Sequence, residues 1–283
     1  MNLRPITALG TQWHIEVLDK VSDVEELQIF TEEFIETFEQ KYSRFRNDSD
    51  LSKLNTDGVF SNPSEEFLDI LRKSENAYKS TKGIFNIAVG EKMETSGYDS
   101  GYSFTQTKIS AVPKLTEVLS SSPKEIFVNG GKLDLGGIGK GYLIDLLAKT
   151  YQTKYNLKHF VINGGGDIYA TSDHGKAVEI ALVHPKDQTL SIGTVSLLHQ
   201  GFAASSPYVR AWKDKNTNEE QNHLHTSNAT ASYVVSDIVC DADVWATTLA
   251  IDPVQAPRGI KKLLLQDSKI IHADDIFNLN TRE

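Results

Sequence analysis

The sequence predicts an α+β fold, and three observations carry that reading. Stretches of period-two and of helical hydrophobic spacing follow one another along the 283 residues without the regular alternation of a doubly wound sheet. Hydrophobic residues make up 39% and charged residues 24%, a balance that suits a packed core and argues against disorder. No run of 18 apolar residues occurs, so no bilayer-spanning helix is expected.

The elements follow in order. Trp13, Ile15 and Val17 alternate with polar neighbours, which predicts a strand within residues 6–18. The period then changes: Val24, Leu27, Phe30, Phe34, Ile35 and Phe38 recur at helical spacing, with Ser22 or Asp23 as the cap. Residues 46–62 are polar and broken by Gly58, and read as loop. A second helix is expected from Glu65 to Ser80, then Gly83 and a short apolar segment at Phe85 and Val89. Residues 93–111 give little signal. Val112 to Leu119 reads as a short helix and Glu125 to Val128 as a strand. A glycine-rich passage, Leu133 to Gly139, leads into an amphipathic helix from Lys140 to Tyr155. Strands are expected at His159 to Ile162, Ile168 to Ala170, Val178 to Val183 and Leu190 to Leu198. Residues 212–230 read as a mobile hydrophilic loop. Tyr233 to Ile238 reads as strand, Ala242 to Ala250 as helix, Pro253 to Leu264 as containing a helix, and Ile270 to His272 as strand.

Charge and cysteine usage narrow the function. With 38 acidic against 29 basic residues the formal charge is −9, which disfavours a broad nucleic-acid surface. Anionic small ligands stay possible, because backbone N–H groups bind phosphate without net positive charge. The single cysteine, Cys240, excludes a disulfide framework or thiolate cluster within the chain. The first residues lack the pattern of a signal peptide, so a cytoplasmic location is the default expectation.

Three constellations carry possible chemistry. In Asp134-Leu-Gly-Gly-Ile-Gly-Lys140-Gly141, Gly136, Gly137 and Gly139 permit close approach of a ligand. The following helix would offer unpaired N–H groups to an anion, and Lys140 would add a point charge. The same passage also reads as a plain strand-to-helix turn with Lys140 in solvent. In Asn163-Gly-Gly-Gly-Asp167, Gly165 and Gly166 suggest a ligand-facing turn, with Asp167 receiving hydrogen bonds or merely capping the turn. In Asp241-Ala-Asp243-Val-Trp-Ala-Thr247, a helix would put the Asp243 and Thr247 oxygens on one face, a donor set that suits Mg²⁺. The competing reading makes Asp243 a helix cap, bonded to Thr247. His223 and His225 are spaced to share a strand face and serve as candidate bases or metal ligands. No strand–GxGxxG–helix unit supports a dinucleotide oxidoreductase.

Taken in order, these pieces resemble the ApbE family, the FAD:protein FMN transferases. The resemblance runs through Leu9-Gly10-Thr11, YSRFRNDSDLSKLN (42–55), TKGIFNIAVG (81–90), LDLGGIGKGYLID (133–145), VINGGGDI (161–168) and ADVWATTLA (242–250). It implies an ApbE-like, T-fold-related mixed sheet with packed helices, as one domain over residues 1–283 divisible into two closely packed subdomains. It further implies FAD as substrate, Mg²⁺ as cofactor, and transfer of FMN to a threonine hydroxyl of an acceptor protein with release of AMP. Carried over, Asp243, Thr247 and the Gly137 carbonyl become metal ligands. Gly136, Lys140, Gly141, Gly165, Gly166 and Asp167 lie at the flavin phosphates. Ser49, Leu51 and Asn55, with Ser205 and Tyr208, complete the flavin site, and His223 activates the acceptor hydroxyl.

The acceptor-side motifs depart from the family pattern. A TSG motif is Ala204-Ser205-Ser206 here, the Asp-Pro after His223 is Thr226-Ser227, and Lys82 and Asn86 stand where acids are common. These departures keep open an FAD-binding protein without transfer, and an FAD pyrophosphatase yielding FMN and AMP.

Overall fold

The computed structural model describes residues 1–108, 110–226 and 230–280. The elements run β1 (Ile6–Ala8), β2 (Thr11–Val17), α1 (Val24–Tyr42), α2 (Asp50–Asp57), β3 (Val59–Ser61), α3 (Glu65–Ser80), a 3₁₀ turn (Ile87–Val89), α4 (Gly90–Thr95), α5 (Leu115–Val118), β4 (Leu119–Ser121) and β5 (Glu125–Val128). There follow α6 (Gly139–Lys154), β6 (Phe160–Gly164), β7 (Asp167–Thr171), β8 (Val178–His184), β9 (Asp187–Leu197), β10 (Gln200–Ser205), β11 (Ala211–Lys213) and β12 (Glu220–Asn222). The chain closes with β13 (Thr230–Ser236), α7 (Val239–Ile251), β14 (Lys261–Gln266), β15 (Lys269–Ala273) and β16 (Phe277–Leu279). The fold is α+β, and its contacts group into two compact units.

The first unit comprises residues 1–36, 140–209 and 226–283. Its frame is an eight-stranded sheet in the order β1-β2-β6-β7-β10-β13-β14-β15, every neighbouring pair antiparallel. The central strand β13 is buried along its whole length, because both faces of the sheet are covered. Ala231, Tyr233 and Val235 point to one face and pack with Leu182, Val195, Leu197 and Phe277 of the small β16-β9-β8 sheet. Val234 points to the other face and packs with Ala242, Trp245, Ala246 and Leu249 of α7. Strand β14 divides in the same way, Leu263 and Leu265 against Leu264.

The second unit comprises residues 37–139 and 210–225. It holds the β3-β5-β4 sheet, the β11-β12 hairpin, and helices α2, α3, α4 and α5. Helix α3 matches its expected span. Ser64 accepts the Phe67 N–H as its cap, Glu65 and Glu66 sit in the first turn, and Phe67, Leu68, Ile70 and Leu71 bury one side.

Several expectations are corrected. Residues 46–62 are not loop: Ser49 caps α2, Leu51 and Leu54 anchor it in the core, and Gly58 ends it in the left-handed region at φ 72°. Residues 211–222 form the β11-β12 hairpin, whose turn is held by Asp214 accepting the Asn216 and Thr217 N–H groups. No helix forms at 253–264; Pro253 and Pro257 oppose one, and the triple leucine belongs to β14. Val112 to Leu119 gives only the single turn α5 before β4 begins. Ser227 lies outside the described residues. Among the described residues no helix is long and apolar enough to cross a membrane.

Candidate active site

In the first unit, the start of α6, the turn at Gly165 and Gly166 and the helix α7 bring Lys140, Asp167 and Asp243 together in a largely buried cluster. Lys140, the second residue of α6, makes an ion pair with Asp167 and lies 3.7 Å from Asp243 Oδ2. Asp167 opens β7 directly after a two-residue turn. Gly164 pairs with Asp167 across it, and Gly165 and Gly166 both hold positive φ, 73° and 102°, which is the geometry of a type I′ hairpin. Asn163 Oδ1 accepts the Gly166 N–H at 2.8 Å and closes the turn. A Cβ on Gly165 would lie 2.2 Å from Thr11 Oγ1, whereas Gly166 faces open space. Thus Asp167 does not cap this turn; the turn delivers its carboxylate to Lys140.

Asp243 comes from the other side, on α7. That helix starts at Val239, so Asp243 lies inside it and is not its cap. Its Oδ2 accepts the Gly141 N–H at 3.2 Å. The helices can approach this closely because residue 141 has no side chain: a Cβ there would meet Val239 O at 2.7 Å and Asp243 Cβ at 2.9 Å. The cap of α7 is Asp145, from α6, whose two oxygens accept the Val239 and Cys240 N–H groups at 2.9 Å each. Sequence reasoning missed Asp145, because nothing local links it to a helix start 94 residues away. Thr247 follows Asp243 by four residues on α7 and is half-buried.

Asp167 and Asp243 thus bring two buried carboxylates to Lys140, and their oxygens could hold a cation. Among the described residues no three His, Cys, Asp or Glu side chains gather as a metal cluster. A divalent ion held by these carboxylates could complete its shell with hydroxyl, backbone or substrate oxygens, as hard cations do.

The remaining candidates of the first unit lie at the end of β10. Ser205 pairs with Ser232 of β13, and the Tyr208 ring packs under Lys186 Nζ at 4.5 Å. Ser206 Oγ accepts the Tyr208 N–H at 3.2 Å.

Other candidates belong to the second unit, where their local roles are structural. The Ser49 hydroxyl accepts the Ser52 N–H and donates to the Ser43 carbonyl, and Leu51 is fully buried. Asn55 grips Leu133 from both sides, donating to its carbonyl at 2.9 Å and accepting its N–H at 2.7 Å. The neighbouring Asp134 accepts the Gly136 N–H at 2.6 Å and pairs with Arg44, a buried ion pair that sequence reasoning did not find. Gly136 and Gly137 thus follow a backbone tied down at Leu133 and Asp134.

His223 follows β12, its backbone N–H donating to the Arg210 carbonyl at 3.1 Å and its Nδ1 3.3 Å from that oxygen. It does not share a strand face with His225, because β12 ends at Asn222 and His225 turns to φ 49°. His225 Nε2 lies 3.1 Å from Met93 Sδ. Burial, reinforced by Lys92, lowers its pKa to about 4 from 6.5. The unfolded chain therefore binds more protons here between these values. The stability this neutral histidine contributes is complete above pH 6.5 and is lost as pH falls toward 4. Replacing His225 by glutamine should flatten the fall of the urea midpoint across that window. An unchanged slope would show that other groups set it.

Comparisons with known proteins identify the family. The ApbE family model matches residues 9–268. The FAD:protein FMN transferase of Haemophilus influenzae is 24% identical over 229 residues, 71% of this chain; the chain spans 64% of the length of that relative. The ApbE protein of Thermotoga maritima superimposes with a TM-score of 0.81 at 18% identity, covering 97% of each chain. The flavin transferase ApbE of Vibrio cholerae gives 0.73 at 19% identity, covering 98% of this chain and 94% of that one. With the family pattern matched over residues 9–268, most of its length, and the same fold found in the two solved structures, this chain belongs to the ApbE family.

Proposed function

We propose that this chain is an FAD:protein FMN transferase, moving the FMN moiety of FAD onto a threonine hydroxyl of an acceptor protein and releasing AMP. The observation that carries the reading is the buried Lys140–Asp167–Asp243 group in a chain of this family. Asp243 and Thr247 would hold Mg²⁺, with the Gly137 carbonyl as a third ligand assigned on the resemblance alone. When bound, that ion would supply charge neutralisation at the pyrophosphate. Lys140 would hold a phosphate oxygen, with Asp167 fixing its ammonium. Gly165 and Gly166 would leave room for the flavin phosphates, and His223 would take the proton of the attacking hydroxyl. The threonine oxygen forms a bond to the FMN-side phosphorus. The bond from that phosphorus to the bridging oxygen breaks, and AMP leaves with that oxygen.

Incubation with FAD, Mg²⁺ and a threonine-containing acceptor peptide, followed by intact-mass analysis, tests this. The expected result is a covalent gain of one FMN and an equal yield of AMP. The altered Ala204-Ser205-Ser206 segment gives the test two other informative outcomes. FMN and AMP released at the same rate without peptide would mean FAD hydrolysis. Tight FAD binding without either product would mean a flavin-binding module.

A further inference from the structure

Helices α6 and α7 are latched to one another in both directions. Asp243 of α7 accepts the Gly141 N–H near the start of α6. In return, Asp145 of α6 accepts the first two N–H groups of α7, one with each oxygen. Gly141 and Asp145 are four residues apart, so both face α7 from the same side of α6. Ile238, which precedes α7, supplies no side-chain cap, and Val239 and Cys240 are buried. The exposed N–H groups of a helix's first turn need partners when buried. Here the partner comes from another helix, and its negative charge complements the positive end of the helix dipole.

The approach is tight on two sides. A Cβ on Gly141 would strike the Val239 carbonyl, and a Cβ on Gly201 of β10 would lie 2.5 Å from Val239 N. The start of α7 is thus seated against bare backbone of α6 and β10, and Asp145 fixes its height along that seat. Asp243 and Thr247 lie on the same rigid helix, one and two turns further on, so their height against Lys140 and Asp167 is set there too.

We propose that Asp145 is a positioning residue for the cation site: it sets the register of α7, and through it the place of the Asp243 and Thr247 oxygens. This rests on the reading of α7 as the Mg²⁺-bearing helix. Asp145 acts through the α7 backbone rather than on the substrate. Residues that orient metal ligands typically change metal affinity by about 10–100-fold when removed.

The test follows Mn²⁺ binding by electron paramagnetic resonance, with the full chain and FAD present, for wild type, Asp145→Asn, Asp145→Ala and Asp243→Ala. Asp145→Asn keeps one acceptor oxygen and should weaken Mn²⁺ by about tenfold; Asp145→Ala should weaken it toward a hundredfold. The rate of FMN transfer should recover as Mn²⁺ is raised, which a general loss of folding would not allow. Wild-type Mn²⁺ affinity in both Asp145 variants, whatever their melting temperatures, would make Asp145 a structural cap and overturn the proposal. If Asp145→Ala fails to fold, the isosteric Asp145→Asn decides. Absence of Mn²⁺ binding by wild type and Asp243→Ala alike would instead overturn the transferase reading, and this proposal with it.

Discussion

Replacing Asp243 by alanine will reduce Mg²⁺-supported FMN transfer by about 10³-fold or more. That figure corresponds to losing several kcal/mol of charge stabilisation at the pyrophosphate, at 1.36 kcal/mol per factor of ten. The residue is buried, accepts the Gly141 N–H at 3.2 Å and lies 3.7 Å from the Lys140 ammonium. Alanine removes the proposed metal ligand and also the acceptor that ties α6 to α7. Asparagine separates the two roles. It retains an oxygen for Gly141 but not the charge, so Asp243→Asn should fold like wild type and still fail to transfer. Steady-state rates over a Mg²⁺ series, with thermal unfolding of each variant, check this. Activity retained by Asp243→Ala at added Mg²⁺ would remove Asp243 from the site. Activity retained by Asp243→Asn alone would reduce its role to holding the two helices.

How much of this was legible in the sequence depends on the range over which each feature is determined. Helix α3 was readable because period and charged ends lie within its own sixteen residues and the cap, Ser64, directly precedes them. The turn at Gly165 and Gly166 was readable as a turn, since only a local chain reversal needs such a run. Helix α2 was missed because eight residues with two buried leucines give too short a window for periodicity, although Ser49 and Gly58 were both in place as caps. The expected helix within Pro253 to Leu264 gives way to β14 because a strand covered on both faces loses the alternation that would mark it. Lys140, Asp167 and Asp243 stand out in the sequence by their chemistry, but their partnerships do not. Asp145 and Val239 are 94 residues apart, and Arg44 and Asp134 are 90 apart, and no local pattern records such a pair. Ser49, Leu51 and Asn55 show the converse: their recurrence in a motif marked them for the flavin, while capping, core packing and the clamp on Leu133 account for their local contacts.

The Arg44–Asp134 pair yields the largest expected effect on stability. Both side chains are more than nine-tenths buried, and Arg44 also donates to the Tyr98 carbonyl at 2.8 Å and stacks its guanidinium 4.1 Å from the Phe45 ring centre. Arg44→Ala would leave a carboxylate out of water without its cation, which costs about 3–5 kcal/mol. Removing both charges costs less, because no charge is then stranded. The double variant Arg44→Met with Asp134→Asn should therefore be more stable than Arg44→Ala alone, although it carries one change more. Urea unfolding of the two proteins checks the order. A loss below about 1 kcal/mol for Arg44→Ala would mean that the pair behaves as a solvated surface bridge. The consequence reaches the glycine turn, because the Asp134 oxygen facing Gly136 belongs to the same carboxylate. A freed Asp134 need not hold that N–H. Because Gly136 belongs to the proposed flavin site, Arg44→Ala should lose FAD affinity at temperatures where it is still folded. The double variant, whose side-chain amide at position 134 still offers an oxygen to Gly136, should recover that affinity in part.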